Sequence, residues 1–205
     1  MDYATLASKE SIEKTIAALK KRNIEALVVD TKEQALEKIK ELIPVGASVH
    51  NGSSRTLDQI GLIEYLKGDT HGWKNLHAAI VAEKDPAKQM QLRNQALFSE
   101  YYLGSVHGLS EGGEIVIASA SGSQLPHLAF TSKNILLVVG AQKIVPTLED
   151  AIRRMREYVF PLEDERMKSV NMGGSVISKI LIVEHEPVFM SRNFKIILVN
   201  EKLGF

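Results

Sequence analysis

Apolar residues recur at helical spacing at Ile12, Ile16 and Leu19, which predicts a helix from Lys9 to about Arg22. Ser8 stands where a cap is needed, and Lys20, Lys21 and Arg22 suit the negative end of the helix dipole. The pattern then becomes a short continuous run, Ile24 to Val29, which reads as a buried strand. Thr31 and Gln34 form a capping-box pattern that opens a second helix, with Ala35, Leu36, Ile39, Leu42 and Ile43 inward and Pro44 as its stop. Helix, strand and helix in alternation is the pattern of a layered α/β domain with parallel strands.

The alternation continues. Val45 to His50 reads as a strand, Asn51 to Thr56 as a small polar loop, and Leu57, Ile60, Leu62, Ile63 and Leu66 as one face of a helical segment. Gly68 to His77 has turn composition and reads as a lid-like loop. Its His71 and His77 lack a nearby Cys or acidic partner, so no metal site is expected. A helix is predicted from Pro86 to about Ser99, and strands from Tyr101 to Val106 and Glu114 to Ala118 around the turn Ser110 to Gly113. Asn134 to Gly140 is the most continuous apolar run and reads as the central buried strand. Thr147 caps a helix to about Val159 that ends before Pro161, and Leu162 to Gly174 reads as a loop. Strands over Ser175 to Val183 and Phe194 to Val199 close the chain.

Candidate chemistry gathers where these strands end. A strand followed by a small polar loop and a helix can present N–H groups and hydroxyls to an anion, so Gly52, Ser53, Ser54 and Thr56 are candidate ligand-binding residues. The same residues also suit a tight turn in which Ser or Thr caps the helix, and both readings stay open. Ser121, Gly122 and Ser123 repeat the design before the helical segment Leu125 to Phe130. Lys143 lies just past the central strand, where open α/β sheets bind ligands; it is either a charge partner for a phosphate or carboxylate or an exposed loop lysine. Ser105 and His107 follow a strand, His107 as a site residue or a hydrogen-bonded structural one. Glu111 is the candidate catalytic carboxylate, as acid, base or nucleophile, and equally an ordinary residue of a glycine turn.

Composition narrows the field. The 205 residues and 44% hydrophobic content allow one domain, expected to span residues 1–205, with a substantial core. Lys plus Arg and Asp plus Glu are 25 each, so no global field favours nucleic acid or an anionic membrane. Cys is absent, which removes disulfides, thiolate metal sites and Cys nucleophiles together. Met1 to Glu10 lacks a signal-peptide pattern, and no apolar run nears the roughly 20 residues of a membrane helix. A cytoplasmic protein without a membrane partner is expected.

Four segments in order carry a family resemblance over Ser8 to Phe205. They are Gly52-Ser53-Ser54-Arg55-Thr56-Leu57 with Ile60-Gly61-Leu62; Leu103-Gly104-Ser105-Val106 with Glu111-Gly112; Val138-Val139-Gly140 with Lys143-Ile144-Val145; and the ending Ile197 to Phe205. Together they resemble the LUD-domain, or lactate utilisation, proteins. The resemblance implies a fold similar to ribose-5-phosphate isomerases, glucosamine-6-phosphate deaminases and type I coenzyme A transferases: three α/β/α layers, a mostly parallel sheet and a site at its C-terminal strand ends. In those distant relatives the loop like Gly52 to Thr56 holds a phosphate or nucleotide-like ligand, a lysine placed like Lys143 contacts substrate, and carboxylates in the loop like Ser105 to Glu111 do chemistry. The isomerase's paired acids are replaced here by Ser105 and His107.

The resemblance further implies a setting in lactate oxidation to pyruvate with iron–sulfur partner proteins. Related stand-alone members carry Asn and Arg where this chain has Gly122-Ser123-Gln124, and several Cys where it has Met167 to Ile180, so no iron–sulfur cluster is expected. The cofactor is left unassigned. The resulting expectation is a small anionic metabolite, whether phosphate, nucleotide, coenzyme A or carboxylate, bound in a strand-end cleft. The rivals are an isomerase, hydrolase or acyl-coenzyme A transferase using Glu111, and a sensor or assembly subunit without turnover. A homodimer is admitted without a residue to carry it.

Overall fold

A computed structural model describes residues 2–68 and 70–205. Met1 and Asp69, which fall in the start of the chain and in the segment read above as a lid, lie outside the described residues. Helix α1 (Lys9–Lys21) begins where the Ser8 hydroxyl accepts the Ser11 N–H at 3.1 Å. Strand β1 (Glu25–Val29) follows, then α2 (Lys32–Leu42), whose Thr31–Gln34 capping box is complete. Next come β2 (Ser48–Asn51), α3 (Arg55–Gln59) and, past Gly61 at φ 80°, α4 (Leu62–Tyr65). The left-handed backbone at Gly61 breaks the predicted single helix into two short ones.

The middle of the chain supplies β3 (Lys74–Asn75), α5 (Leu76–Ala82), α6 (Pro86–Ala96), β4 (Tyr101–Gly104), β5 (Gly108–Ser110) and β6 (Ile115–Ser119). A π-helical turn (His127–Thr131) leads into β7 (Asn134–Gly140), a 3-10 turn (Ala141–Lys143) and β8 (Ile144–Val145). The last part holds α7 (Leu148–Arg154), a second π-helical turn (Met155–Val159), α8 (Phe160–Ser169), β9 (Lys179–Val183) and β10 (Asn193–Val199).

The architecture is three layers, α/β/α, around a six-stranded sheet in the order β1-β10-β7-β4-β2-β3, with every pairing parallel. Alternate residues of β7 serve opposite faces, as strand geometry requires. Ile135, Leu137 and Val139 pack with Leu19 of α1, while Leu136 and Val138 pack with Ala35, Ile39, Leu57 and Leu62 of α2 to α4. Each such aliphatic side chain, once fully buried, contributes about 1.5–3 kcal/mol, which makes β7 the axis of both cores.

A second, four-stranded sheet in the order β8-β5-β6-β9 was not foreseen, because β5 and β8 are too short to show a period. It shares the first core through Leu109, Ile115 and Ile117. On its other face Val116 and Val145 meet Ala151 and Met155.

Two expectations are corrected. The segment read as a lid is built in from Trp73 onward: Trp73 is buried, its indole N–H donates to the Ile43 carbonyl at 3.2 Å, and Lys74–Asn75 pairs with β2. Pro161 does not end the last long helix. The helix runs on without a break, Val159 and Phe160 both having helical backbone, and the Phe160 N–H reaches back five residues to the Met155 carbonyl, a π turn that admits Pro161 as the next residue. The supposed loop from Leu162 is therefore helical to Ser169.

Candidate functional site

Parallel strands β2, β4 and β7 are neighbours in the sheet, and their C-terminal ends open onto a cleft of about 650 Å³. Gly52, Ser53, Ser54 and Thr56 line it from the end of β2; Ser105 and His107 from the end of β4; Ser121 and Ser123 from the loop after β6; and Lys143 from the turn after β7. Of the sequence-predicted ligand residues only Gly122 does not line the cleft. It shapes the loop at φ 86°, where an added Cβ would strike the Lys179 stem.

The floor of the cleft is Lys143, only 3% exposed. Its ammonium nitrogen donates to Thr56 Oγ1 at 3.0 Å, Ser105 Oγ at 3.1 Å and the Val106 carbonyl at 3.1 Å. Among the described residues no carboxylate lies within ion-pair distance of it. Burial, reinforced by the Arg154 guanidinium, holds its pKa well below the ordinary lysine value. Thus the predicted loop lysine is neither exposed nor ion-paired. The C-terminal segment closes over it: Gln142 donates to the Leu203 carbonyl at 2.8 Å and accepts the Leu203 N–H at 3.3 Å, and Phe205 lines the cleft.

The neighbouring side chains are fixed. Ser105 Oγ donates to the Val138 carbonyl at 2.7 Å, which leaves its lone pairs for Lys143. His107 Nδ1 accepts the Ala118 N–H at 3.1 Å, so its proton sits on Nε2. Burial, with Lys143 and Arg154 adding to it, pushes His107 down to about 3, a neutral imidazole at physiological pH. The fully buried Arg154 donates to the His107 carbonyl and to the Tyr3 carbonyl, and lies 5.3 Å from the Tyr158 ring centroid. Ser54 caps α3 by accepting the Leu57 N–H at 3.3 Å, so the turn reading of that loop is realised within the cleft wall.

The lining has a sign. Arg55, Arg93, Arg166 and Lys143 line the cleft with a single carboxylate, Glu163, which Arg166 grips with two bonds of 2.7 and 2.6 Å, while Arg55 pairs with Asp58 at 2.8 Å. The opposite wall is apolar, built from Met155, Val159, Phe160, Met167 and Val176. Met155 and Val159 fall within the helix predicted to about Val159, whereas Met167, with Glu163 and Arg166, belongs to the helical run past Pro161, which the reading of that proline as a stop leaves out. Its signal was the Glu163–Arg166 spacing of three, which joins both residues on one helix face.

Glu111 is not in this cleft. It stands in the turn between β5 and β6, and its carboxylate accepts Lys14 Nζ at 2.6 Å. That bond is the leading cause that lowers its pKa further, so it is held as a paired anion away from Lys143. The structure therefore does not bring the candidate carboxylate together with the cleft residues.

Among the described residues no group of three or more His, Cys, Asp or Glu is placed to hold a metal, and no helix is long and apolar enough to cross a membrane. The LUD-domain family model matches residues 12–199. The fold is similar to that of a solved DUF162-family protein from Deinococcus radiodurans, at 12% identity and a TM-score of 0.57 over 96% of this chain and 100% of that one. At that identity the likeness concerns the fold. No curated protein matches the chain.

Proposed function

The chain belongs to the LUD-domain family, and we propose that it serves organic-acid (lactate) metabolism by binding a small organic anion at the C-terminal ends of β2, β4 and β7. The setting follows from the family's name; the ligand class is argued from the cleft. One observation carries it: Lys143 is buried at the cleft floor among neutral oxygens with no described carboxylate beside it. A buried cation without a partner is costly, and an incoming carboxylate or phosphate would supply the missing charge.

The arginines favour the same sign of ligand. Arg55 and Arg93 line the cleft together with Lys143, and the serines of both loops offer hydroxyls and N–H groups. The apolar wall of Met155, Val159 and Met167 suits a ligand with an apolar arm beyond its anionic group, as in an acyl-coenzyme A or a longer organic acid. A mechanism through Glu111 is not part of this reading, because Lys14 holds that carboxylate outside the cleft. Partner proteins of lactate oxidation would then meet this subunit as a carrier or processor of the anion.

The test is a thermal-shift screen of wild type and Lys143→Ala against sugar phosphates, nucleotides, coenzyme A thioesters and 2-hydroxy acids. A ligand at a hundred times its dissociation constant adds about 2.7 kcal/mol to a native state that alone binds it. A shift in wild type that is lost in the variant is the expected result. Equal shifts in both would remove Lys143 from the site, and silence across all four classes would overturn the reading.

A further inference from the structure

We propose that Lys143 is a covalent attachment point: its amine condenses with the carbonyl carbon of a small keto compound whose anionic group is held by the cleft. The inference rests on the anion-binding reading and adds a reaction to it.

The position of the amine is the first argument. Lys143 Nζ lies between Thr56 Oγ1, Ser105 Oγ and the Val106 carbonyl, none of them charged, and the residue lines the cleft. A lysine placed only for stability would be expected to meet a carboxylate, as the buried Arg192 meets Glu186. A lysine placed as a nucleophile needs its lone pair, and a desolvated amine beside another cation exposes one. Arg154 supplies that second cation from behind, and burial acts in the same direction. The Thr56 hydroxyl can donate to a neutral amine, since its own bond to the Leu203 carbonyl is long at 3.4 Å.

The second argument is the proton inventory. His107 lines the same cleft with its proton on Nε2, because Nδ1 accepts the Ala118 N–H. In the first step the Nζ lone pair of the neutral amine forms a C–N bond and the carbonyl π pair moves to oxygen, which accepts a hydrogen bond from His107 Nε2 and takes a proton from solvent, while the nitrogen releases one proton to solvent. In the second step the hydroxyl takes a proton from solvent and leaves as water as the C–O bond breaks, the nitrogen lone pair closes the C=N bond, and the remaining N–H proton returns to solvent. Amine plus ketone gives imine plus water, and no oxidant or reductant is consumed.

The substrate class follows from what surrounds the amine. Arg55 and Arg93 hold the carboxylate or phosphate within the same cleft as Lys143, whose amine gives its proton to solvent and reaches the adjoining carbonyl, and the apolar wall takes a tail where there is one. The two sources of anionic charge are separated by two probes: 2-oxohexanoate, a keto acid with an apolar tail, and dihydroxyacetone phosphate, a keto phosphate.

The full chain is incubated with each probe and reduced with borohydride, which turns an imine into a stable secondary amine. Intact mass and peptide mapping then locate the adduct, and calorimetry without reductant measures binding. The expected result is one adduct per chain, at Lys143, with whichever probe also gives heat; the productive probe names the anion. Mapping is done on wild type, so the result does not depend on a variant folding. Lys143→Met, checked by circular dichroism, should leave only the background on exposed lysines. Binding heat without an adduct at Lys143 would overturn the covalent step and leave the anion reading standing. Adducts spread evenly over surface lysines would also overturn it. Neither heat nor adduct from either probe would overturn the step and count against the anion reading with it.

Discussion

Two buried basic side chains of this molecule are treated in opposite ways. Arg192, 6% exposed, is gripped by Glu186 through bonds of 2.9 and 2.7 Å, and its remaining N–H groups reach the carbonyls of His127, Leu128 and Ser132. Lys143 is buried as deeply and has three neutral oxygens and no described acid. The first arrangement is complete without a ligand. The second is left short of one negative charge at the floor of an open cleft, and that shortage, rather than burial itself, separates a binding residue from a structural one.

The largest expected effect breaks the complete arrangement. Glu186→Gln leaves Arg192 charged and buried without its counter-charge, which should cost about 3–5 kcal/mol in chemical denaturation. Ligand affinity of the folded fraction should stay as in wild type, because neither residue lines the cleft. The converse substitution, Lys143→Met, removes a cation that has no partner to lose. It should leave the denaturation midpoint equal to or above wild type while weakening anion binding by about 1.5–3 kcal/mol, the range of a charge-assisted hydrogen bond. A large loss of stability in Lys143→Met would make the lysine structural and erase the contrast.

How much of that contrast was legible in the sequence depends on the distance between the residues that make it. Ser8, and Thr31 with Gln34, were read correctly because a cap is a bond across three residues. Asn134 to Gly140 was read as the central strand because both its faces are apolar, and three loops converge at the cleft because β2, β4 and β7 are parallel neighbours. The depth of Lys143 was not legible. It arises when Leu203 closes over the turn, held by Gln142 61 residues earlier in the chain. Glu111 was misplaced for the same reason, since its partner Lys14 is 97 residues away. Glu163, Arg166 and Met167 of the cleft wall were not legible because a π-helical turn, a tertiary accommodation, lets the helix run on past Pro161.

Acid titration sharpens the comparison, because each basic region holds a buried histidine. The His107 carbonyl accepts Arg154 near Lys143, and the His127 carbonyl accepts Arg192 at 3.2 Å. Burial pushes both imidazoles down to about 3 from an unfolded value of 6.5. Between those values the unfolded chain binds protons that the folded chain refuses, so stability is full above pH 6.5 and falls as the pH drops toward 3. Each histidine adds a slope approaching about 1.4 kcal/mol per pH unit. His107→Asn and His127→Asn should each flatten the denaturation profile in that window. If the Lys143 region differs as argued, a bound anion should lessen the acid loss through His107 and leave the His127 share unchanged.

The smallest effect belongs to the residue that looked most chemical in the sequence. Glu111→Gln removes one partner of a pair whose lysine is largely exposed and whose carboxylate lies outside the cleft. Surface pairs of this kind contribute little, because solvent screens the charges and both side chains lose freedom in meeting. The variant should match wild type in ligand affinity and in adduct formation at Lys143, and its denaturation midpoint should be hard to separate from wild type. Paired with Lys143→Met it forms a two-way test: one substitution changes binding and spares the fold, the other spares both. A loss of affinity in Glu111→Gln would mean that the turn between β5 and β6 reaches the bound ligand. The cleft would then extend beyond the ends of β2, β4 and β7, and the carboxylate would have to leave Lys14 to take part.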